Sequence, residues 1–174
     1  MIETEQIFER ARSLPLFASL SEAELQAVLL QCQIALYLKG KNIFREGAHG
    51  DSLMVVLQGD ISLRCAAEDG VTVEVATLGE GAVLGEMALI DPAPRAATAV
   101  ASDNTLLLIM HKDTLDQLIA TDHPAAPKVL QQLLQLLAGR FRTMEDRIGE
   151  IFESRLEVHQ PGTPQAAWNL VPGE

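Results

Sequence analysis

The stretch that most constrains the fold runs from Gln33 to Met110. Across it no helical period survives, and short runs of β-forming residues alternate with glycine-containing turns at close intervals. That pattern argues a barrel or sandwich of antiparallel strands. Val71, Val73 and Val75 alternate with Thr72 and Glu74, the period of two expected of a half-buried strand. Gly47-Ala48-His49-Gly50-Asp51 reads as one loop, Gln58-Gly59-Asp60 as a tight hairpin between Leu53–Leu57 and Ile61–Cys65, and Glu68-Asp69-Gly70 as another turn. The strands are therefore expected to follow one another as a meander.

One run inside this region has a different character: Gly85-Glu86-Met87-Ala88-Leu89-Ile90-Asp91-Pro92-Ala93-Pro94-Arg95-Ala96-Ala97-Thr98. It follows Leu78-Gly79-Glu80-Gly81, whose two glycines permit positive φ and an abrupt reversal. Glu86 to Ile90 suffice for a single helical turn, and the free N–H groups of such a turn point at whatever lies before it. Pro92 and Pro94 forbid continuing the helix and push the residues before them toward extended backbone, which holds Arg95 near the helix start. Ala96, Ala97 and Thr98 then begin a strand. An arginine and several small-residue amides suit a phosphate. A carboxylate beside that phosphate would be repelled, so the expected partner of Glu86 is a donor on the same ligand, such as a sugar hydroxyl. The implied ligand is a sugar phosphate. The alternative is an ordinary ion pair between Glu86 and Arg95 on a proline-containing loop, which adds little stability.

This run resembles the phosphate-binding cassette of the cyclic nucleotide-binding domain family, in particular the form in the regulatory subunits of cAMP-dependent protein kinase. The family pattern Gly-Glu-Leu-Ala-Leu, a short spacer, then Pro-Arg-Ala-Ala-Thr matches Gly85 to Leu89 and Pro94 to Thr98, with Met87 for Leu the one difference in those ten positions. The resemblance implies that Glu86 holds the ribose 2′-hydroxyl, that Arg95 holds the cyclic phosphate, and that backbone N–H groups of Gly85, Ala88 and Ala96 surround it. Met87 and Ala97 belong to the same implied ligand site. A cGMP-selective site in this family tends to carry Thr or Ser after the arginine, so Ala96 favours cAMP over cGMP. The implied fold is α+β: an eight-stranded antiparallel jelly-roll barrel flanked by N-terminal helices and a long C-terminal helix.

The flanks agree with that outline. Ile7, Phe8, Ala11 and Leu14 lie at helical spacing from Thr4 to Leu14, and Pro15 ends the helix. Ser21 with Glu24 is a capping box before Leu25, Val28 and Leu29. After a last strand, Thr105 to Met110, one helix is expected over Lys112 to Ala120 and a longer one from Asp122 toward Arg155. In the latter, Leu130, Leu134, Leu137, Phe141, Met144, Ile148 and Ile151 step by four and three, a heptad seam that predicts a parallel homodimer. The other use of such a stripe is to cover its own barrel, and Leu133 with Leu136 offers a second apolar face. The expected organisation is one cyclic nucleotide-binding domain over 1–156, with a helical lead-in 1–32, a barrel 33–110 and helices 111–156. A disordered tail is expected over 157–174, where Pro161, Gly162, Pro164, Pro172 and Gly173 cluster. The long helix resembles that of the catabolite activator proteins, but no helix-turn-helix is expected after it. By the same resemblance the base is closed off by the long helix near Thr143, Met144 and Glu145; the alternative, which the resemblance does not supply, is Trp168 stacking as an aromatic lid from the tail.

Composition narrows the function classes. A net charge of -11 over 174 residues opposes binding to DNA or an anionic membrane, both of which need clustered Lys and Arg. Met1-Ile2-Glu3-Thr4-Glu5 has no signal-peptide character and no apolar run reaches spanning length, so a cytoplasmic location is expected. Cys32 and Cys65 read as reduced core thiols, too few for an iron–sulfur cluster. His49, His111, His123 and His159 lack metal-ligand spacing, so no metal is expected. Glu80 and Glu86 as paired carboxylates lack a nucleophile and base beside them, so no enzyme is expected. The resulting expectation is a stand-alone cAMP sensor that signals through its C-terminal helix to a protein partner the sequence does not identify. The rival is a structural dimerisation module with a degenerate pocket or another ligand.

Overall fold

The computed structural model describes residues 4–67 and 70–157, with side-chain surroundings to 150. The chain divides after Leu134 into two compact units. In the first, α1 (Thr4–Arg12) and a 3-10 turn (Pro15–Phe17) lead to α2 (Glu22–Leu29). Ten strand segments follow: β1 (Gln33–Tyr37), β2 (Asn42–Phe44), β3 (His49–Gly50), β4 (Ser52–Gln58), β5 (Ile61–Ala66), β6 (Thr72–Leu78), β7 (Val83–Leu84), β8 (Ala93–Pro94), β9 (Thr98–Ala101) and β10 (Thr105–His111). Between β7 and β8 stands the short helix α3 (Glu86–Ile90), and after β10 come α4 (Lys112–Ala120) and α5 (Ala125–Glu157). The sheets run β1-β10-β4-β7 and β2-β9-β5-β6, all pairings antiparallel, with β3 and β8 forming a separate two-residue pair.

The continuous apolar runs decide which strands lie at the centre. Ser52 to Leu57 and Thr105 to Met110 are buried at every position, as strands covered on both faces must be. One face of each fills the barrel, where Met54, Val56, Leu107 and Ile109 meet Ile61, Leu84 and Ala99. The alternate residues Leu53, Val55, Leu57, Leu108 and Met110 are buried on the side where α1, α3 and α4 pack.

Three expectations need correction. Gln58-Gly59-Asp60 does not close a hairpin: β4 pairs with β10 and β7, whereas β5 pairs with β6 and β9. With both edges of β4 taken, the chain must cross to the other sheet, so the path is a roll and not a meander. Gly59 makes that corner at φ +87, and a Cβ there would lie 2.6 Å from the Asn104 carbonyl. The β5–β6 hairpin does form, with Ile61 opposite Leu78 and Ala66 opposite Thr72; within its turn, Glu68 and Asp69 lie outside the described residues. Second, Val71, Val73 and Val75 are exposed, at 55%, 49% and 56%. β6 is an edge strand, and its alternation is a backbone preference with no layer to bury against. Third, the long helix begins at Ala125 and not at Asp122. Asp122 takes φ +50 and closes α4: its N–H donates to the Ile119 carbonyl and that of His123 to the Leu118 carbonyl. These are the two bonds of a Schellman motif, with Asp at the position usually given to Gly.

The capping box of α2 is present. Glu24 N–H donates to Ser21 Oγ at 3.3 Å, and Ser21 N–H donates to Glu24 Oε2 at 2.7 Å. The same carboxylate accepts from Lys128 Nζ at 2.7 and 2.9 Å, joining α2 to the start of α5. The Lys128 bond, followed by that from Ser21 N–H, lowers the Glu24 pKa to about 2 from an ordinary 4.5. A depressed folded-state pKa contributes stability above the unfolded value and loses it as pH falls through the folded one. Glu24→Gln, which keeps a capping group but removes the charge, should therefore flatten the acid dependence of thermal stability between about pH 4.5 and 2. Parallel melting curves of the two proteins across that window would refute this account.

Candidate functional site

The site is assembled where β7 hands over to α3. Gly85, the N-cap of α3, sits at φ +73 in the left-handed region, which glycine enters without steric cost. A Cβ at Gly85 would lie 2.1 Å from Arg95 Nη1 and 2.7 Å from the Ser52 carbonyl, so the close approach also excludes a side chain. Asp91 leaves the helix in extended conformation (φ -129, ψ 100), as a residue before proline should. β8 then pairs with β3, His49 opposite Pro94 and Gly50 opposite Ala93. That pairing fixes Arg95, whose N–H donates to the Ala48 carbonyl at 2.8 Å and whose carbonyl accepts from Gly47 N–H at 2.9 Å.

Arg95 is only 7% exposed. Its Nη2 donates to the Ser52 carbonyl at 2.9 Å and to Ser52 Oγ at 3.0 Å. The guanidinium lies over the Phe44 ring, 4.6 Å from the centroid. Nε and Nη1, both buried, have no acceptor among the described residues. Burial lowers the Arg95 pKa from its ordinary value, with Asp51 and then Glu86 acting in the opposite direction. Guanidinium remains charged through such shifts. Glu86 is 5% exposed in the first turn of α3. A buried donor without an acceptor costs about 1–3 kcal/mol, more for a charged group. An anion placed against Nε and Nη1 removes that penalty, and the donor set therefore fits the phosphate of a sugar phosphate.

The structure brings Gly85, Glu86, Ala88 and Arg95 together. Ala88 N–H donates to the Gly85 carbonyl at 3.1 Å, inside the first turn of α3. Met87 is exposed on that helix, Ala96 is exposed and Ala97 half-buried beyond Arg95, and the Ala96 carbonyl accepts from Cys65 Sγ at 3.7 Å. Thr143, Met144 and Glu145 are exposed residues of α5 in the second unit, and the Thr143 hydroxyl donates to the carbonyl of Gly139 on its own helix. Trp168 lies outside the described residues, and the side chain of Ile151 falls beyond those whose surroundings are described. Along the seam, Leu130 and Leu137 are half-buried while Leu134, Phe141, Met144 and Ile148 are exposed. Phe44 and Ser52 carry no motif in the sequence, and 47–51 is not a plain loop, since His49–Gly50 pairs with Ala93–Pro94 beside Arg95.

Cys32 and Cys65 are half-buried, not core residues as expected, and burial pushes the Cys32 thiol up to about 12. Among the described residues no three His, Cys, Asp or Glu side chains cluster as metal ligands, and no helix is long and apolar enough to cross a membrane. Glu80 is engaged by Arg10 Nη1 at 3.4 Å on the surface.

The two sheets form a jelly roll that buries Arg95 near Glu86, with no acceptor for Nε and Nη1 among the described residues. The model of the cyclic nucleotide-binding domain matches residues 35–122, from β1 to the end of α4, and the chain belongs to that family. It is 37% identical to the cyclic AMP receptor protein of Thermus thermophilus over 74% of this chain and 57% of that protein. It is 30% identical to the cAMP-dependent protein kinase regulatory subunit of Dictyostelium discoideum over 77% of this chain and 41% of that one. A solved cyclic nucleotide-binding domain from Methylobacillus flagellatus superposes with a TM-score of 0.72 at 35% identity, covering 83% of this chain and 81% of that one. The chain spans less than two thirds of the length of these curated relatives.

Gly85→Ala tests how tightly the cradle is drawn. The substitution forces a non-glycine residue into the left-handed region and drives a Cβ onto the Ser52 carbonyl. It should cost about 1–3 kcal/mol of stability in urea unfolding, with the loss absent from Gly139→Ala, where open space surrounds the added atom. Equal stabilities for the two variants would contradict the close approach.

Proposed function

We propose that this chain is a cyclic-nucleotide sensor that favours cAMP, and one observation carries the reading: Arg95 is buried near the buried carboxylate of Glu86, and its Nε and Nη1 have no acceptor among the described residues. The phosphate of a cyclic nucleotide answers Arg95, and its ribose hydroxyl gives Glu86 a donor in place of a repelled anion. On this reading the backbone N–H groups of Gly85 and Ala96 line the phosphate, that of Ala88 being shared with its bond to the Gly85 carbonyl, and Met87 and Ala97 lie in the same cassette. Relatives named as a cyclic AMP receptor protein and a cAMP-dependent kinase regulatory subunit support a regulatory role without catalysis. Ala96 brings no hydroxyl toward a guanine, which favours cAMP over cGMP. The functional unit is 1–156, acting in the cytoplasm without nucleic acid or membrane, and nucleotide binding biases the long helix toward one of two positions that a partner protein reads.

Calorimetric titration of the full chain with cAMP and cGMP tests this. Arg95→Ala should weaken cAMP binding by roughly 1.5–3 kcal/mol, about ten- to a hundredfold, since a charge-assisted contact is lost. The variant should remain folded, because an apolar side chain replaces a buried cation with unmet donors. Native affinity in a folded variant would remove Arg95 from the phosphate site.

A second reading, a dimerisation module whose pocket is degenerate, draws on the exposed stripe Leu134, Phe141, Met144 and Ile148. Both readings use a homodimer through Leu130 to Ile151, and nucleotide binding separates them. Leu137→Glu with Met144→Glu should give monomers by light scattering, because like charges at seam positions are strongly unfavourable. A native chain that is monomeric at micromolar concentration with and without cAMP would remove the seam as a dimer contact.

A further inference from the structure

Phe44 lies on β2, far in sequence from the cassette, yet its ring supports the guanidinium of Arg95 at 4.6 Å. A planar cation is fixed only when both its in-plane rotation and its tilt are restrained. Ser52 restrains the rotation, taking both hydrogen bonds from Nη2. Those bonds leave the plane free to tilt about the anchored nitrogen. The face of an aromatic ring opposes that tilt, because its negative quadrupole attracts the cation face-on. Phe44 is itself held in place: it stands opposite Ala99 across the β2–β9 ladder and packs against the cluster that fills the barrel. Gly50 clears the remaining side, where a Cβ would come within 2.8 Å of Arg95 Nε.

We propose that Phe44 is a positioning residue for anion recognition, its ring setting the plane in which Arg95 presents Nε and Nη1. This rests on the nucleotide reading of the pocket given above. Nε and Nη1 lie in the guanidinium plane, so tilting the plane swings both donors off a phosphate held by the α3 turn. A leucine at the same position fills much of the space and offers no aromatic face, whereas a tyrosine keeps it.

The test compares the full native chain with Phe44→Leu and Phe44→Tyr, each checked for cooperative thermal unfolding, by calorimetric titration with cAMP. Phe44→Leu should weaken cAMP about five- to tenfold, and Phe44→Tyr should stay within about twofold of native. The Arg95 Nε–H proton resonance, assigned by its loss in Arg95→Lys, should move downfield in Phe44→Leu and hold in Phe44→Tyr, a change that loosened packing without ring contact does not produce. If Phe44→Leu fails to unfold cooperatively, Phe44→Met makes the same comparison. Native cAMP affinity in a folded Leu or Met variant, or a Tyr variant as weak as the Leu one, overturns the positioning role alone. A native chain that binds neither cAMP nor cGMP overturns the nucleotide reading, and this role with it.

Discussion

Arg95 donates from Nη2 to both the carbonyl and the hydroxyl of Ser52, and the structure around the site follows from keeping that cation out of water. Burial disfavours its charge, so Asp51 and Glu86 stand near enough to oppose the shift. The guanidinium must fit against two backbones, so Gly85 and Gly50 occupy positions where any Cβ would strike it. The two-residue ladder of β3 with β8 brings the loop before Ser52 against the residues before Arg95. One side chain thus ties the segment from Phe44 to Ser52 to the segment from Val83 to Arg95.

Holding an incompletely paired cation requires a scaffold that does not give way. β4 begins at Ser52, is buried along nearly its full length, and lies between β10 and β7. Its barrel face joins the apolar cluster while its other face receives α1 and α3. Removing one large side chain from such a layer typically costs about 2–5 kcal/mol, comparable with the penalty of the unmet donors. The hydrophobic interior can therefore hold a strained electrostatic centre that an exposed loop could not. α3, which carries Glu86, packs against α4 as well as β4, so the turn that would enclose a ligand is also in contact with the first helix after the barrel.

What the sequence made legible is what depends on neighbours in sequence. The capping box of Ser21 and Glu24, the limits of α4, and the glycine–helix–proline run from Gly85 to Arg95 each need only a few consecutive residues, and each stands in the structure as read. The hairpin expected at Gly59 did not form because strand pairing is settled by which edges remain free after the whole sheet assembles. The valines of β6 carried the right backbone preference and no information about a covering layer. Asp122 was misread for a related reason: Asp favours the start of a helix, and only the bonds to Leu118 and Ile119 show it closing the one before. Phe44 and Ser52 had no motif, since their relation to Arg95 arises only from the fold.

The charges beside Arg95 restrict what can satisfy it. A bare inorganic anion answers Nε and Nη1 but also brings negative charge toward Glu86 and Asp51, which already offset the buried cation. In a poorly solvated pocket that repulsion is weakly screened. An anion that carries its own hydroxyl avoids the conflict, because a donor on the same molecule turns the nearer carboxylate from a repelling group into an acceptor. On the nucleotide reading proposed above, the arginine would supply attraction common to any phosphate, and the carboxylate would supply the discrimination. On that reading, replacing the arginine should lower affinity across all anions alike, whereas Glu86→Gln should relax the choice among them, and titrations with cAMP and with inorganic phosphate would separate the two.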